Sequence, residues 1–332
     1  MFGGCMELLK EKVKGAVFGA VIGDALGTLV EEMDGETVKR AYGGPILGFR
    51  EPSPLAVCPH LGKGCYSHES QIFLMALKVY ADRGYFDESY YVELLVDWVK
   101  REREHRYPSG AHVNAALSYG AGLESVEAQV KATDIDGAVP ALAAGLFRWD
   151  SSDDAYQEGA YVASITHGDP ILTDTAGVLA VAASEVVGGR VSFETEEDRL
   201  GFIDVLREFA QTETVKAYLD LLLQVLRKGS LKPDEVAVVL GNGSFAPEAF
   251  ASGLYFALSN YRSFRMGVLS AVNSYGEFGG DTDAVAFVTG GILGGYLGFG
   301  SIPESWVKEL EGRKEIELLT EKFLERITSY GG

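Results

Sequence analysis

Glycine costs about 1 kcal/mol per helix position relative to alanine, yet this chain places it in two rows with a spacing of four. Gly15, Gly19, Gly23 and Gly27 fall in the first helical pattern, and Gly290, Gly294 and Gly298 in a late one. Residues four apart share a helix face, so each row is a stripe without side chains. Such a stripe lets another backbone come very close, which predicts a packing seam in a helical core. A seam at the centre of that core could also bring the polar ends of both helices together.

The rest of the chain is consistent with a helical core. The segments "QIFLMALKVYADRG", "YYVELLVDWVKREREH", "ILTDTAGVLAVAASEVVGG", "DRLGFIDVLREFAQ" and "ETVKAYLDLLLQVLRKG" space apolar residues three and four apart, and several stop at glycine. The first pattern, "ELLKEKVKGAVFGAVIGDALGTLVEE", reads as one helix reaching Glu31. Alternating β-branched patterns are scarce, so the expected class is all-α. No stretch reads as a linker and no repeat is visible, so residues 1–332 are read as one domain.

Apolar residues make up 47% of the 332 and charged residues 23%, the profile of a globular protein. A net charge of -19 repels polyanions, which argues against nucleic acid as a partner. Cys5, Cys58 and Cys65 are odd in number and lack a CxxC spacing, which argues against a disulfide framework or a thiolate zinc site. The opening "MFGGCMELLKEKVKG" lacks a secretory pattern, so a cytoplasmic location is expected, with a monomer as the default state. Ala284 to Gly300 is uncharged but shorter than the roughly 20 residues of a membrane span, and Asp281 and Asp283 precede it. A buried core helix is expected there, with no membrane association.

Polar residues gather at the helix edges in five places. Asp24 is embedded in the first apolar helix, a costly position unless it is paired or ligated, and Glu31 lies two turns on. Ser67, His68, Glu69 and Ser70 precede a helix. There Ser67 reads as an N-cap accepting from the Ser70 amide, and the same cluster also reads as a metal site. Asp281, Thr282 and Asp283 follow a glycine pair, where they suit either the helix dipole or a hard divalent cation. His167 lies in the loop "THGDP", and Gly241, Asn242, Gly243 and Ser244 form a glycine turn whose amides could cradle an anion.

Taken in this order, the five segments resemble the ADP-ribosylglycohydrolase family. "GAVFGAVIGDALGTLVE" is similar to its opening helix. Gly64 to Ser70 aligns with a "GxWTDDT" segment, Thr166, His167 and Pro170 with "THxxP", Gly241 to Glu248 with "GxGxxAxE", and Gly279 to Asp283 with "GGDTDT". The resemblance implies an orthogonal helical bundle whose cleft holds one or two Mg2+ or Mn2+ ions. It implies Ser67, His68, Glu69, Asp281 and Asp283 as metal-facing residues and Glu31, Glu69 and Asp281 as catalytic. His167 and Gly241 to Ser244 would line the cleft for an ADP-ribosylated protein or small ADP-ribose conjugate.

Three departures alter this picture. His68 stands where the family has an aspartate, Ala284 where it has a threonine, and Asp136 opens "DGAVPALAAG" where the family often has "NGxxMRxAPxG". Imidazole suits Mn2+, Fe2+, Ni2+ or Zn2+ better than Mg2+, so a modified or single metal site is expected. The function so implied is metal-dependent hydrolysis of ADP-ribosyl conjugates. The alternative is an inactive relative that binds an ADP-ribose-like ligand or has a structural role.

Overall fold

The computed structural model describes residues 2–329. The side chains at positions 2, 5 and 329, the Cys5 thiol among them, lie outside that description. In chain order the helices are α1 Phe2–Gly27, α2 Gly35–Tyr42, α3 His68–Arg83, α4 Glu88–Lys100, α5 Gly110–Gly120, α6 Ser125–Ala128, α7 Ala141–Phe147, α8 Ser152–Ser164 and α9 Pro170–Val187. They continue with α10 Glu196–Phe209, α11 Glu213–Lys228, α12 Pro233–Val239, α13 Ala246–Ser259, α14 Phe264–Val272, α15 Thr282–Leu297, α16 Glu304–Glu309 and α17 Arg313–Ser329. Among the described residues there is no strand. Two isolated bridges pin the loop before Asp136, pairing Val130 with His167 and Asp134 with Phe245. The all-α class expected from periodicity is the class observed.

The glycine rows meet each other. A methyl group built on Gly15 would overlap the carbonyl oxygen of Gly294, one on Gly19 that of Gly290, and one on Gly23 that of Ala286. At the end of the row, a methyl on Gly27 would strike the backbone of Thr282 and Asp283. The partners run in opposite directions, so α1 and α15 are antiparallel and in backbone contact along their length. Ala286 and Asp283 continue the α15 row, and Gly298 ends that helix with φ 82°. The seam sets the C-terminal end of α1 beside the N-terminal end of α15.

Other helices enclose this pair. α13 and α14 pack on α15, α7 and α8 pack on α9, and α17 packs on α3, around one continuous apolar core. α9 is long and apolar enough to cross a membrane by length and composition alone, but 83% of it is buried inside this core. The apolar stretch after Asp283 is likewise enclosed, with Thr282 to Gly295 all buried in α15.

The first helix is shorter than its pattern predicts. It ends at Gly27, where contact with the α15 backbone occupies the path, and Thr28 to Glu32 form a turn rather than another helical turn. Glu32 adopts φ 59°, an uncommon value for a residue with a side chain, and its amide donates to Gly280 O at 2.9 Å. Glu31 therefore reaches the helix ends from a turn, not along a helix face.

Candidate functional site

Three helix ends converge around Asp24. Its carboxylate is fully buried and accepts from the amides of Ser67 (3.0 and 3.2 Å) and Ser70 (3.0 Å) and from the Thr28 hydroxyl (3.0 Å). This acid on α1 thus helps to cap α3. Ser67 is the N-cap as expected, but its hydroxyl accepts from the Glu69 amide at 3.2 Å, because the Ser70 amide is already taken by Asp24. Thr282 Oγ1 donates to Gly27 O at 3.0 Å and ties α15 to α1, while Asp281 caps α15 through the Ala284 amide at 3.3 Å. The N-termini of α3 and α15 both present their positive ends to the acids between them.

Two overlapping donor groups result. Asp24, Glu69 and Asp283 offer oxygens that all lie within 4.8 Å of one another, and so do donor atoms of His68, Glu69 and Asp136. Glu69 belongs to both. Glu31 Oε2, Asp283 Oδ2 and His68 Nδ1 are buried without a hydrogen-bond partner. A buried carboxylate oxygen with no donor is unfavourable unless a proton or a cation satisfies it. The set therefore fits a divalent cation, with oxygen donors throughout and one nitrogen.

The protonation equilibria reflect the same crowding. Burial first, then the charges of Asp283 and Asp281, push the Glu31 carboxyl well above its ordinary range. Burial and the neighbouring acids do the same to Glu69 and Asp283. Asp281 is pushed up to about 7, by burial and then by Asp136. For His68, burial disfavours the charged ring, but Asp136, Glu31 and Asp24 outweigh it and the net direction is up.

Groups whose folded pKa is raised stabilise the fold below their ordinary pKa, and that stabilisation is lost as pH rises through the folded value. For the acids the window opens near pH 4 and extends through about 7 for Asp281; the raised His68 acts in the same direction. The melting temperature in chelator is expected to fall by several degrees between pH 5 and 8, and a divalent cation to recover more of it at pH 8 than at pH 5. A flat or rising melting temperature across that window would contradict this electrostatic picture.

The acids open onto a cleft of about 700 Å3 whose lining includes Glu31, His68, Glu69, Asp136, Asp281 and Ser244. Asp283 lies beneath its floor, fully buried. Of the glycine turn, Gly243 and Ser244 face the cleft. The Gly243 amide, however, donates to Glu248 Oε1 at 2.5 Å, so it is not free to cradle an anion. Asn242 instead braces the neighbouring loop through Ser274 O and Gly279 O at 2.8 and 3.3 Å, and Gly241 O accepts from Ser252. His167 is fully buried behind the wall, with Nε2 3.3 Å from Asp134 Oδ1. A methyl on Gly137 would come 2.5 Å from its ring, so His167 supports the turn that carries Asp136.

Sequence reasoning missed several members. Asp136 Oδ2 lies 2.8 Å from His68 Nε2, so an acid at 136 sits beside the residue that replaces an acid at 68. The two departures are complementary, and their co-occurrence was the available signal. Asp24 reads from sequence only as a costly buried acid, and the structure adds it to the donor set. His112 is also buried, with its ring 4.9 Å from His167 and 6.2 Å from His68, and nothing in its local sequence marks it. At the rim, the Tyr107 hydroxyl donates to Glu32 Oε1 at 2.7 Å, and both residues have φ 59°.

Comparison with known proteins agrees with this architecture. The chain is 29% identical over 327 residues to an uncharacterized protein of Archaeoglobus fulgidus, covering 96% of this chain and 97% of that one. It is 23% identical to ADP-ribosylhydrolase ARH3 of Homo sapiens, covering 93% of this chain and 92% of ARH3. It is also 23% identical to the ADP-ribosylarginine hydrolase Tri1 of Pseudomonas putida, covering 96% and 80%. A solved structure described as an ADP-ribosylglycohydrolase-related protein complex superposes with a TM-score of 0.75 at 23% identity, over 97% of this chain and 99% of that one. Residues 6–331 match the family model for ADP-ribosylglycohydrolase. With nearly the whole chain inside that match, and with its helical architecture shared, the protein belongs to the ADP-ribosylglycohydrolase family.

Proposed function

We propose that the cleft hydrolyses the bond between C1'' of ADP-ribose and an acceptor atom, with a divalent cation held by Asp24, Glu69, Asp283 and Asp281. The observation that carries this reading is the convergence of buried acid oxygens from Asp24, Glu69 and Asp283 beside a cleft lined by Glu31, Glu69 and Asp281. Relatives named for hydrolysing ADP-ribosyl and ADP-ribosylarginine bonds support the substrate class. When bound, the cation supplies positive charge that templates ribose oxygens and acidifies water.

The chain's own residues do the remainder. Burial beside Asp283 and Asp281 holds the Glu31 carboxyl well above its ordinary range, which suits it to deliver a proton to the departing acceptor atom. The carboxylates of Glu69 and Asp281 face the reacting sugar and stabilise the oxocarbenium-like charge that develops there, until water adds to C1'' and gives its proton to the Glu31 carboxylate, which restores the acid. Phe278, 88% exposed at the rim, offers a flat apolar face to the adenine.

ADP-ribosylated arginine, ADP-ribosylserine peptide and O-acetyl-ADP-ribose are to be incubated with the protein and Mg2+ or Mn2+. Free ADP-ribose is expected from at least one of them, with release abolished by chelator and restored by the cation. If none of the three yields ADP-ribose under either metal, the hydrolase reading gives way to a binding role.

A further inference from the structure

The pairing of His68 with Asp136 separates the two ring nitrogens by function. Nε2 lies 2.8 Å from Asp136 Oδ2, and the Ser109 amide also points at it from 3.3 Å. Only one of these contacts can be a hydrogen bond in a given tautomer. The shorter, charge-assisted one prevails, so Nε2 carries the hydrogen and donates it to the carboxylate. The lone pair is then on Nδ1.

That lone pair has nowhere to go within the protein. His68 is only 3% exposed, Nδ1 has no hydrogen-bond partner, and it sits 3.2 Å from Glu69 Oε2 without hydrogen-bond alignment. A lone pair facing a carboxylate oxygen is repulsive unless a proton or a cation lies between them. Two ligands of one octahedral cation, each about 2.1 Å from the metal at right angles, are themselves about 3 Å apart, so the separation fits a shared cation while the donor type sets its class. A carboxylate holding the far nitrogen of a metal-ligating histidine is the usual supporting arrangement, because it fixes the tautomer and raises the ring's basicity.

We infer that His68 Nδ1 and Glu69 ligate a first-row transition cation of the Mn2+, Fe2+ or Co2+ class, with Asp136 as the residue that orients the ring, so that this site discriminates against Mg2+. The inference rests on the cation-assisted reading above and adds the ligand atom and the metal class. Nitrogen donors favour these cations over Mg2+, which prefers oxygen in near-ideal octahedral geometry. The exchange of an acid from position 68 to position 136 thus keeps the negative charge nearby while converting a donor from oxygen to nitrogen.

The test uses the full chain, stripped with chelator and loaded with Mn2+. Pulsed electron paramagnetic resonance is expected to show 14N modulation from a directly bound imidazole, and His68→Asp to lose it. In competition, His68→Asp should lower the Mg2+ needed to displace half the Mn2+ by about tenfold or more. Asp136→Asn should retain the 14N signal and weaken Mn2+ binding by roughly 10–100-fold, as losing such an orienting partner does. Mn2+ bound without 14N modulation in the parent protein overturns the inference while leaving cation-assisted hydrolysis standing, and that result needs no variant to fold. No bound Mn2+ together with Mg2+-supported ADP-ribose release also overturns it alone. Absence of both binding and release overturns the two readings together.

Discussion

Asp283→Asn is expected to lower ADP-ribose release by far more than the roughly 100-fold seen when an outer-shell partner of a metal is lost, while raising the melting temperature of the metal-free protein at pH 8. Asp283 is fully buried, its Oδ2 is unpartnered, and its oxygens converge with those of Asp24 and Glu69. Asparagine keeps the shape and can preserve the bond from the Ala284 amide to Oδ1, now 3.0 Å. It removes one negative charge from a group of acids that repel one another, and burial with the charges of Glu69 and Asp281 already drives this carboxyl toward its neutral form. The gain in stability should shrink at pH 5, where the acids hold protons, and a saturating cation should reverse the order of the two proteins. Loss of activity with gain of stability is the signature of a strained functional cluster. Near-parental activity would remove Asp283 from the chemistry, and a lower metal-free melting temperature at pH 8 would show that its charge is satisfied within the fold.

The fold, and the helix starts that carry the acids, could be read from the chain because both rest on local, repeated costs. Glycine rows in apolar helices need a compensating contact, and the Gly19 to Gly290 approach supplies it. Asp281, Asp283, Ser67 and Glu69 stand at helix starts with family-like spacing, and the structure brings their segments together. What was not legible depends on partners distant in sequence. Ser67 caps a different amide than its spacing suggests because Asp24, 43 residues earlier, takes the others. Glu248 closes the glycine turn from five residues downstream and occupies the amide that an anion would need. His68 reads from sequence as a metal-facing residue in a modified site, but the acid that holds its ring, Asp136, lies 68 residues on. Pairwise chemistry of that range leaves no periodic trace.

Gly19→Ala tests the link between the seam and the site. On helix propensity alone the change should stabilise by about 1 kcal/mol. The added methyl, however, would overlap the carbonyl oxygen of Gly290 in the facing backbone, where no side-chain rotation can relieve it. Overpacking a tight core costs about 1–3 kcal/mol, and here two whole helices must separate, so the upper end applies and a net loss of about 2 kcal/mol is expected in thermal or denaturant unfolding. Gly201→Ala, on the exposed side of α10 with nothing within 4 Å of the new methyl, is the matched control and should gain up to about 1 kcal/mol. Because the same seam seats Gly27 against Asp283, spreading α1 from α15 also moves Asp24 away from Asp283. Folded Gly19→Ala protein should therefore bind Mn2+ more weakly than the parent, although position 19 touches none of the donor residues. A stabilising Gly19→Ala would show that the helices tolerate separation, and unchanged Mn2+ affinity in a destabilised variant would show that the acids are positioned by α3 and the loops rather than by the seam.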